Sequence, residues 1–157
     1  MPKTSQIKKG FTLIELLVVI GILAILLTIV LIAINPSRQF NLSNDTKRRS
    51  DVLAILNAIH QFAADPGNRG QLPAGIPQGV AADALELCGP ASATCVDLCT
   101  VLVPDYISAL PADPATGDPV TDCTVAYSTG YTVVRDTSNR VTVLAPGAQT
   151  AAVSITR

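Results

Sequence analysis

The sequence has little of what most enzymes use for catalysis. Its 157 residues include one histidine, His60, and no tryptophan, and aromatic residues make up only 4%. The nucleophile motif GxSxG, the phosphate-binding motif GxxxxGK(S/T) and the zinc-hydrolase motif HExxH are absent from the chain. These absences exclude the commonest hydrolase and nucleotide-binding signatures, and we expect a protein that is not an enzyme.

Charged residues are also sparse, at 15% of the chain, and the formal net charge is −1. Three of the lysines, Lys3, Lys8 and Lys9, precede Gly10; without them eight basic and twelve acidic residues remain, a net charge of −4. The basic cluster at 47–49 has no interleaved aromatic residues, which favours a solvated helix face over a nucleic-acid contact. We therefore expect no specific binding of nucleic acid.

A long apolar run dominates the N-terminal part of the chain. From Phe11 to Ile34 the 24 residues are apolar apart from two threonines, one glycine and Glu15. As a helix rising ~1.5 Å per residue, this run would reach about 36 Å, enough to cross a bilayer. Secretory signal peptides have a shorter apolar region of ~7–15 residues. The run therefore predicts a membrane-spanning helix.

Residues 8–17, KKGFTLIELL, resemble the class III signal of bacterial type IV prepilins and type II secretion pseudopilins. Basic residues precede Gly10, Phe11 follows it, and Glu15 lies inside the apolar run. The resemblance implies cleavage between Gly10 and Phe11 by a prepilin peptidase, and N-methylation of Phe11. It also implies that Glu15 pairs with the Phe11 amine of a neighbouring subunit, which would set the register between subunits. On physical grounds alone, a solvated Glu15 at the headgroup level is an equal alternative.

The resemblance and the residue patterns together predict three segments: a leader at 1–10, a transmembrane and filament-core helix at 11–35, and an extracytoplasmic globular domain at 36–157. Pro36 predicts a break in the helix at Asn35, because proline disfavours helix at the residue before it. Helix is then expected to resume and to end at Ala64. Its apolar stripe, at spacings of three and four, comprises Val52, Ile55, Leu56, Ile59 and Ala63.

The last third of the chain predicts strands. Runs rich in β-branched and aromatic residues occur at 124–128, 131–135 and 140–144, and a turn lies at 136–139. A short helix is expected within 96–103, and a mobile tail from Pro146. The predicted fold class is α+β and pilin-like: one long N-terminal helix, half transmembrane and half amphipathic, packed on a small C-terminal antiparallel sheet.

Four cysteines in a domain beyond the membrane suit an oxidising compartment and allow three pairings. We favour Cys88 with Cys95 and Cys99 with Cys123. Alternatives are free thiols, or a zinc site, which lacks CxxC pairs and a supporting histidine.

A second, weaker resemblance to pilins and major pseudopilins is the Leu-Pro-x-Asp-Pro stretch at 110–114. The loop that contains it offers three carboxylates, Asp113, Asp118 and Asp122. Major pseudopilins bind calcium in the comparable region, so a calcium site is one interpretation. The other is a solvated turn, since Asp, Gly and Pro are ordinary turn residues. No other cofactor is expected.

The favoured function is a structural subunit, a type IV pilin, that forms a helical homo-oligomeric filament for adhesion, twitching motility or DNA uptake. Its expected partners are the prepilin peptidase, the pilus assembly platform, minor pilins and the membrane. It would begin as a single-pass precursor in the inner membrane and end in an extracellular pilus. The alternatives are a major pseudopilin, in a periplasmic piston for type II secretion, and a single-span membrane-anchored binding or sensor domain.

Overall fold

The computed structural model of the protein describes residues 10–89, 94–118, 120 and 122–157. Its first helix, α1, spans Leu13–Ile34, and the second, α2, spans Pro36–Ala64. Between them Asn35 has a left-handed backbone, with φ of 45°. Pro36 is the first residue of α2, a position where its missing N–H is no loss. The helix break that the sequence predicts at Asn35 is confirmed.

The chain divides into two compact units between Gln39 and Phe40. The second unit contains most of α2, a short helix α3 at Cys99–Leu102, and a five-stranded sheet in the order β2-β1-β3-β4-β5. The β1–β2 pair is parallel and the other three pairs are antiparallel. The strands are β1 Leu85–Gly89, β2 Cys95–Val96, β3 Tyr127–Arg135, β4 Val141–Ala145 and β5 Val153–Thr156.

One hydrophobic core joins α2 to the sheet. The predicted stripe of α2 is fully buried at Val52, Ile55, Leu56 and Ile59, while Ala63 is half-buried at its end. Burial alternates along β3 and β4, as expected when one face of a sheet is covered. The α+β fold class is confirmed. Inward-facing core residues of the sheet include Leu87, Tyr131, Val133, Val141 and Val143.

Three features of the structure differ from the predictions made from the sequence. The predicted mobile tail contains β5, which pairs with β4 along its whole length. Strands β1 and β2 were not predicted, because they lie in a region with no clear period-two pattern. Strand propensity depends on cross-strand neighbours, which a single segment does not reveal. The two predicted strands at 124–128 and 131–135 are replaced by one strand, β3, which begins at Tyr127 and continues through Gly130, where φ is +73°.

Candidate functional site

The apolar segment, residues 10–34, presents an apolar surface that no other described residue of its own unit covers. None of the residues of α1 is buried, and Phe11 is 90% exposed. The helix is long and apolar enough to cross a membrane by length and composition. A soluble protein rarely leaves so much contiguous apolar surface in water. The segment therefore requires lipid or other apolar helices around it.

Glu15 is the one acidic residue of α1, and its carboxylate caps the helix. Its Oε2 accepts hydrogen bonds from the Thr12 backbone N–H at 2.8 Å and from the Thr12 hydroxyl at 2.7 Å. In return, the Glu15 N–H donates to Thr12 Oγ1 at 3.3 Å, which completes a capping box. A carboxylate near apolar surface is thereby hydrogen-bonded within its own chain. One acceptor oxygen, Oε1, has no hydrogen bond among the described residues.

The two residues expected at the processing site lie just before this cap. Gly10 and Phe11 are exposed and are not part of α1. Because the helix begins at Leu13, the bond between Gly10 and Phe11 can be reached without unwinding it. The structure thus places Gly10 and Phe11 in the exposed segment just before α1, and Glu15 in the first turn of the helix.

A buried ion cluster is the main polar feature of the second unit, and it comprises Arg48, Asp45 and Asp113. Arg48 is completely buried, and the two aspartates are 3% and 2% exposed. The guanidinium donates two parallel hydrogen bonds to Asp113, from Nε to Oδ2 at 2.6 Å and from Nη2 to Oδ1 at 3.0 Å. Its Nη1 donates to Asp45 Oδ1 at 2.8 Å. Such a fork geometry is specific to arginine.

The ion cluster ties three distant segments together. Asp45 also accepts bonds from the N–H groups of Gln149 and Thr150, and from the Thr150 hydroxyl. Asp113 accepts bonds from the N–H groups of Ala115 and Thr116 at 2.8 and 3.1 Å. Helix α2, the loop after Asp113 and the segment before β5 are therefore linked through the two carboxylates that Arg48 binds.

Glycines allow this close approach. A Cβ atom on Gly117 would lie 2.5 Å from both the Asp113 N and the Thr129 O, and one on Gly147 would lie 3.0 Å from Asp113 Oδ2. Backbone atoms cannot yield at such distances, so any side chain at Gly117 would displace the Asp113 loop.

The expectation of a solvated face at 47–49 is wrong for Arg48, which is a core residue, whereas Lys47 and Arg49 are exposed as expected. The position of Arg48 was indicated by spacing: Asp45 and Arg48 continue the stripe toward Val52 at intervals of three and four. The sequence reasoning missed this pair because buried arginine is rare unless its charge is matched, and the match comes from Asp113, 65 residues away.

The three carboxylates of the predicted calcium loop do not fit a calcium site. Both oxygens of Asp113 are engaged by Arg48, which already supplies the positive charge. Asp122 accepts bonds from the Thr124 N–H and hydroxyl, and Asp118 is exposed. Within the described residues, no group of three acidic, histidine or cysteine side chains is placed to bind a metal. Nor is Asp113 a solvated turn residue, since it is buried.

The cysteines form two disulfides, Cys88 with Cys95 and Cys99 with Cys123. These are the pairs that the sequence favours, and they leave no thiolate for zinc. The second bond ties α3 to the segment that leads into β3, across a sequence separation of 24.

Both aspartates of the ion cluster are held in their charged form. The hydroxyl of Thr150 lowers the pKa of Asp45 well below its usual range, against the opposing effect of burial. Burial on its own would raise the pKa of Asp113, but hydrogen bonds from Arg48, Ala115 and Thr116 outweigh it and lower that pKa to about 2. The bond to Asp113, together with the bond to Asp45, raises the pKa of Arg48 against the opposing effect of burial. The cluster is therefore fully ionised at neutral pH.

These shifts predict acid-sensitive stability. A carboxyl group whose pKa in the folded state is below its unfolded value of ~3.9 stabilises the fold at every pH above ~3.9. This contribution is lost as the pH falls through the folded pKa. For Asp113, with a folded pKa of about 2, the contribution is about 2 kcal/mol at neutral pH. We expect the urea unfolding free energy to be flat from pH 7 to 5 and to fall steeply toward pH 2. In Asp113→Asn the fall should be shallower, whereas exposed Asp118→Asn should follow the wild-type curve; equal slopes in both variants would refute the assignment.

Comparison with known proteins identifies the N-terminal segment. Residues 6–31 match the family model described as the prokaryotic N-terminal methylation motif. No curated protein and no solved structure matches the chain. The match includes Gly10, Phe11 and Glu15, and it covers most of the capped, apolar helix α1. The chain thus carries the N-terminal methylation motif that is the signature of type IV pilins and pseudopilins.

Proposed function

We propose that this protein is a type IV pilin, a structural subunit that polymerises through its apolar segment, residues 10–34, into a cell-surface filament. The observation that carries the proposal is the exposed α1, which begins at the matched motif and has Glu15 at its first turn. Apolar helices of many subunits would cover one another, and the disulfide-bonded second unit would provide the outer surface for adhesion, motility or DNA uptake.

Glu15 is suited to set the step between subunits. Hydrolysis of the Gly10–Phe11 bond would free the Phe11 amine, and a methyl donor would then transfer its methyl group to this nitrogen, which loses one proton. A protonated amine from a neighbour could approach Glu15 Oε1, the oxygen that Thr12 leaves uncommitted. A carboxylate and an ammonium group among apolar helices each carry a large desolvation cost unless they form an ion pair. A subunit shifted in register would leave both groups unpaired and would be disfavoured.

The ion cluster favours a pilin over a major pseudopilin. In the calcium-binding relatives that the resemblance implies, acidic side chains of the corresponding loop bind the metal. Here Arg48 occupies the carboxylate of Asp113. Folding of the subunit in the presence of a calcium chelator would support the pilin assignment. Loss of folding when calcium is chelated would favour the pseudopilin.

The proposal predicts a defined N-terminus in the assembled protein. Filaments sheared from cells should contain a chain that begins with N-methylated Phe11, as read by intact mass and N-terminal sequencing. Replacing Gly10 with valine should leave the precursor uncut, because the added bulk lies beside the bond to be cleaved. The matched control, Gly21→Val, lies within α1 where a Cβ atom meets nothing, and it should leave cleavage unchanged.

The alternatives give different results. A chain that keeps its leader and is found only in membranes would overturn the filament proposal in favour of a membrane-anchored domain. A processed chain recovered only from the periplasm, and required there for protein export, would identify a pseudopilin.

A further inference from the structure

A polar cavity of about 340 Å³ lies between the loop Gly70–Ile76 and the turn that follows β3. Its lining includes Arg135, the last residue of β3, together with Gln71 and Asn139, two residues whose side chains carry amides. None of the residues that line the cavity is acidic. The cavity therefore joins one cation to neutral hydrogen-bonding groups.

The guanidinium of Arg135 is held in place by neutral groups. Its Nε donates to the Ile76 carbonyl at 3.2 Å, and its Nη1 donates to Asn139 Oδ1 at 2.6 Å. Its backbone is bonded on both sides, to Pro77 and to Gly79, at 2.9 Å each. These bonds fix the side chain at the cavity and leave Nη2 without a partner among the described residues.

The charge of Arg135 is not neutralised by a neighbour. The adjacent carboxylate, Asp136, pairs with Arg140 at 2.8 Å, and its other oxygen accepts bonds from the Ser138 and Arg140 N–H groups. No salt bridge to Arg135 occurs in the part of the chain that the structure describes. A pre-positioned guanidinium without a counter-ion is a feature of sites that bind carboxylate or phosphate.

We propose that this cavity binds an acidic sugar unit, with Arg135 on its carboxylate or phosphate group. The amide Nδ2 of Asn139 and the amide of Gln71 are suited to sugar hydroxyls, which both accept and donate hydrogen bonds. The cavity volume of about 340 Å³ lies in the range of small-molecule sites, roughly 300–1,000 Å³. An inorganic anion alone would use only part of that space. The site belongs to the second unit, so the inference does not rest on filament assembly.

The test is a titration of the ¹⁵N-labelled full mature chain in non-ionic detergent, with glucuronate and with glucose 1-phosphate. We expect saturable shifts of the Gly70 and Gly75 amide resonances with at least one acidic sugar. Glucose and inorganic phosphate should bind about tenfold more weakly or worse, since each lacks half of the recognised groups. The tighter of the two acidic sugars shows whether carboxylate or phosphate is the natural group.

Variants locate the charge that binds. Arg135→Gln should lose at least about tenfold in affinity for the acidic sugars. Arg140→Gln is the matched control, because the charge of Arg140 is already paired and it does not line the cavity. Absence of saturable shifts in the wild type, equal affinity for inorganic phosphate, or wild-type affinity in a folded Arg135→Gln chain would each overturn the proposal. If that variant does not fold, wild-type shifts confined to residues outside the cavity would overturn it.

Discussion

Replacing Asp113 with alanine is expected to destabilise the second unit by roughly 3–5 kcal/mol, because it removes the carboxylate that accepts two bonds from the buried Arg48 guanidinium and leaves those charged donors unsatisfied. Arg48 is 0% exposed and would lose both bonds of its fork, while Asp45 would keep the third. Total stabilities of single domains are only about 5–15 kcal/mol. The variant should therefore unfold at a markedly lower urea concentration, measured on the full mature chain in detergent.

Two further variants separate the buried pair from other effects. Asp118→Ala, in the same loop but exposed, should change the unfolding free energy by no more than about 0.5 kcal/mol. The triple change Asp45→Asn, Arg48→Met and Asp113→Leu removes all three charges of the ion cluster and should recover much of the loss, because no unpaired charge stays buried. If Asp113→Ala and Asp118→Ala unfold at the same urea concentration, the ion cluster does not hold the fold as described.

The long helix and the motif could be predicted from the sequence because their signals are local. The apolar run from Phe11 to Ile34 needs no partner to be recognised, and Pro36 marks the break by its own covalent geometry. The stripe of α2 has the helical period, so its buried face was also predictable. In each case the deciding residues lie within a few turns of one another.

The ion cluster could not be predicted in the same way, because its partners come from sequence-distant segments. Arg48 meets Asp113 65 residues away, and Asp45 meets Thr150 105 residues away. Asp113 looked like a turn residue because aspartate followed by proline commonly is one. Strand β5 was missed for a related reason: its residues are held by pairing with β4, and their own pattern is too short to decide.

The Arg135 cavity illustrates the same limit at a candidate binding site. Arg135 was predicted at the end of a strand and Asn139 in the turn after it. The other wall of the cavity is the loop Gly70–Ile76, and Ile76 precedes Arg135 by 59 residues, so no local pattern brings the two together. That an arginine lacks a counter-ion becomes visible only when every neighbouring carboxylate has been assigned a partner.

The other large effect is expected at Glu15. Glu15→Leu should reduce filament yield at least about a hundredfold, if the pair with a neighbouring Phe11 amine is worth roughly 3 kcal/mol or more among apolar helices. The precursor should still enter the membrane, because removing a charge makes insertion of α1 more favourable. Filaments sheared from cells and subunit in the membrane fraction, both quantified by immunoblot, measure the two quantities separately.

The matched control is Thr28→Val, the change of another polar residue of α1. The Thr28 hydroxyl donates to the Ala24 carbonyl at 2.8 Å, one turn earlier in the same helix. Because the hydroxyl proton is used within the helix, removing the hydroxyl should not break a hydrogen bond that it donates to a neighbouring subunit. Filament yield should therefore stay near the wild-type level in Thr28→Val. Glu15→Gln keeps the bonds from Thr12 but not the charge, and it should assemble as poorly as Glu15→Leu if the neighbour's amine is the partner. Normal assembly of Glu15→Gln would instead make the capping box the essential role of this side chain, since a neutral amide can cap the helix but cannot neutralise an amine.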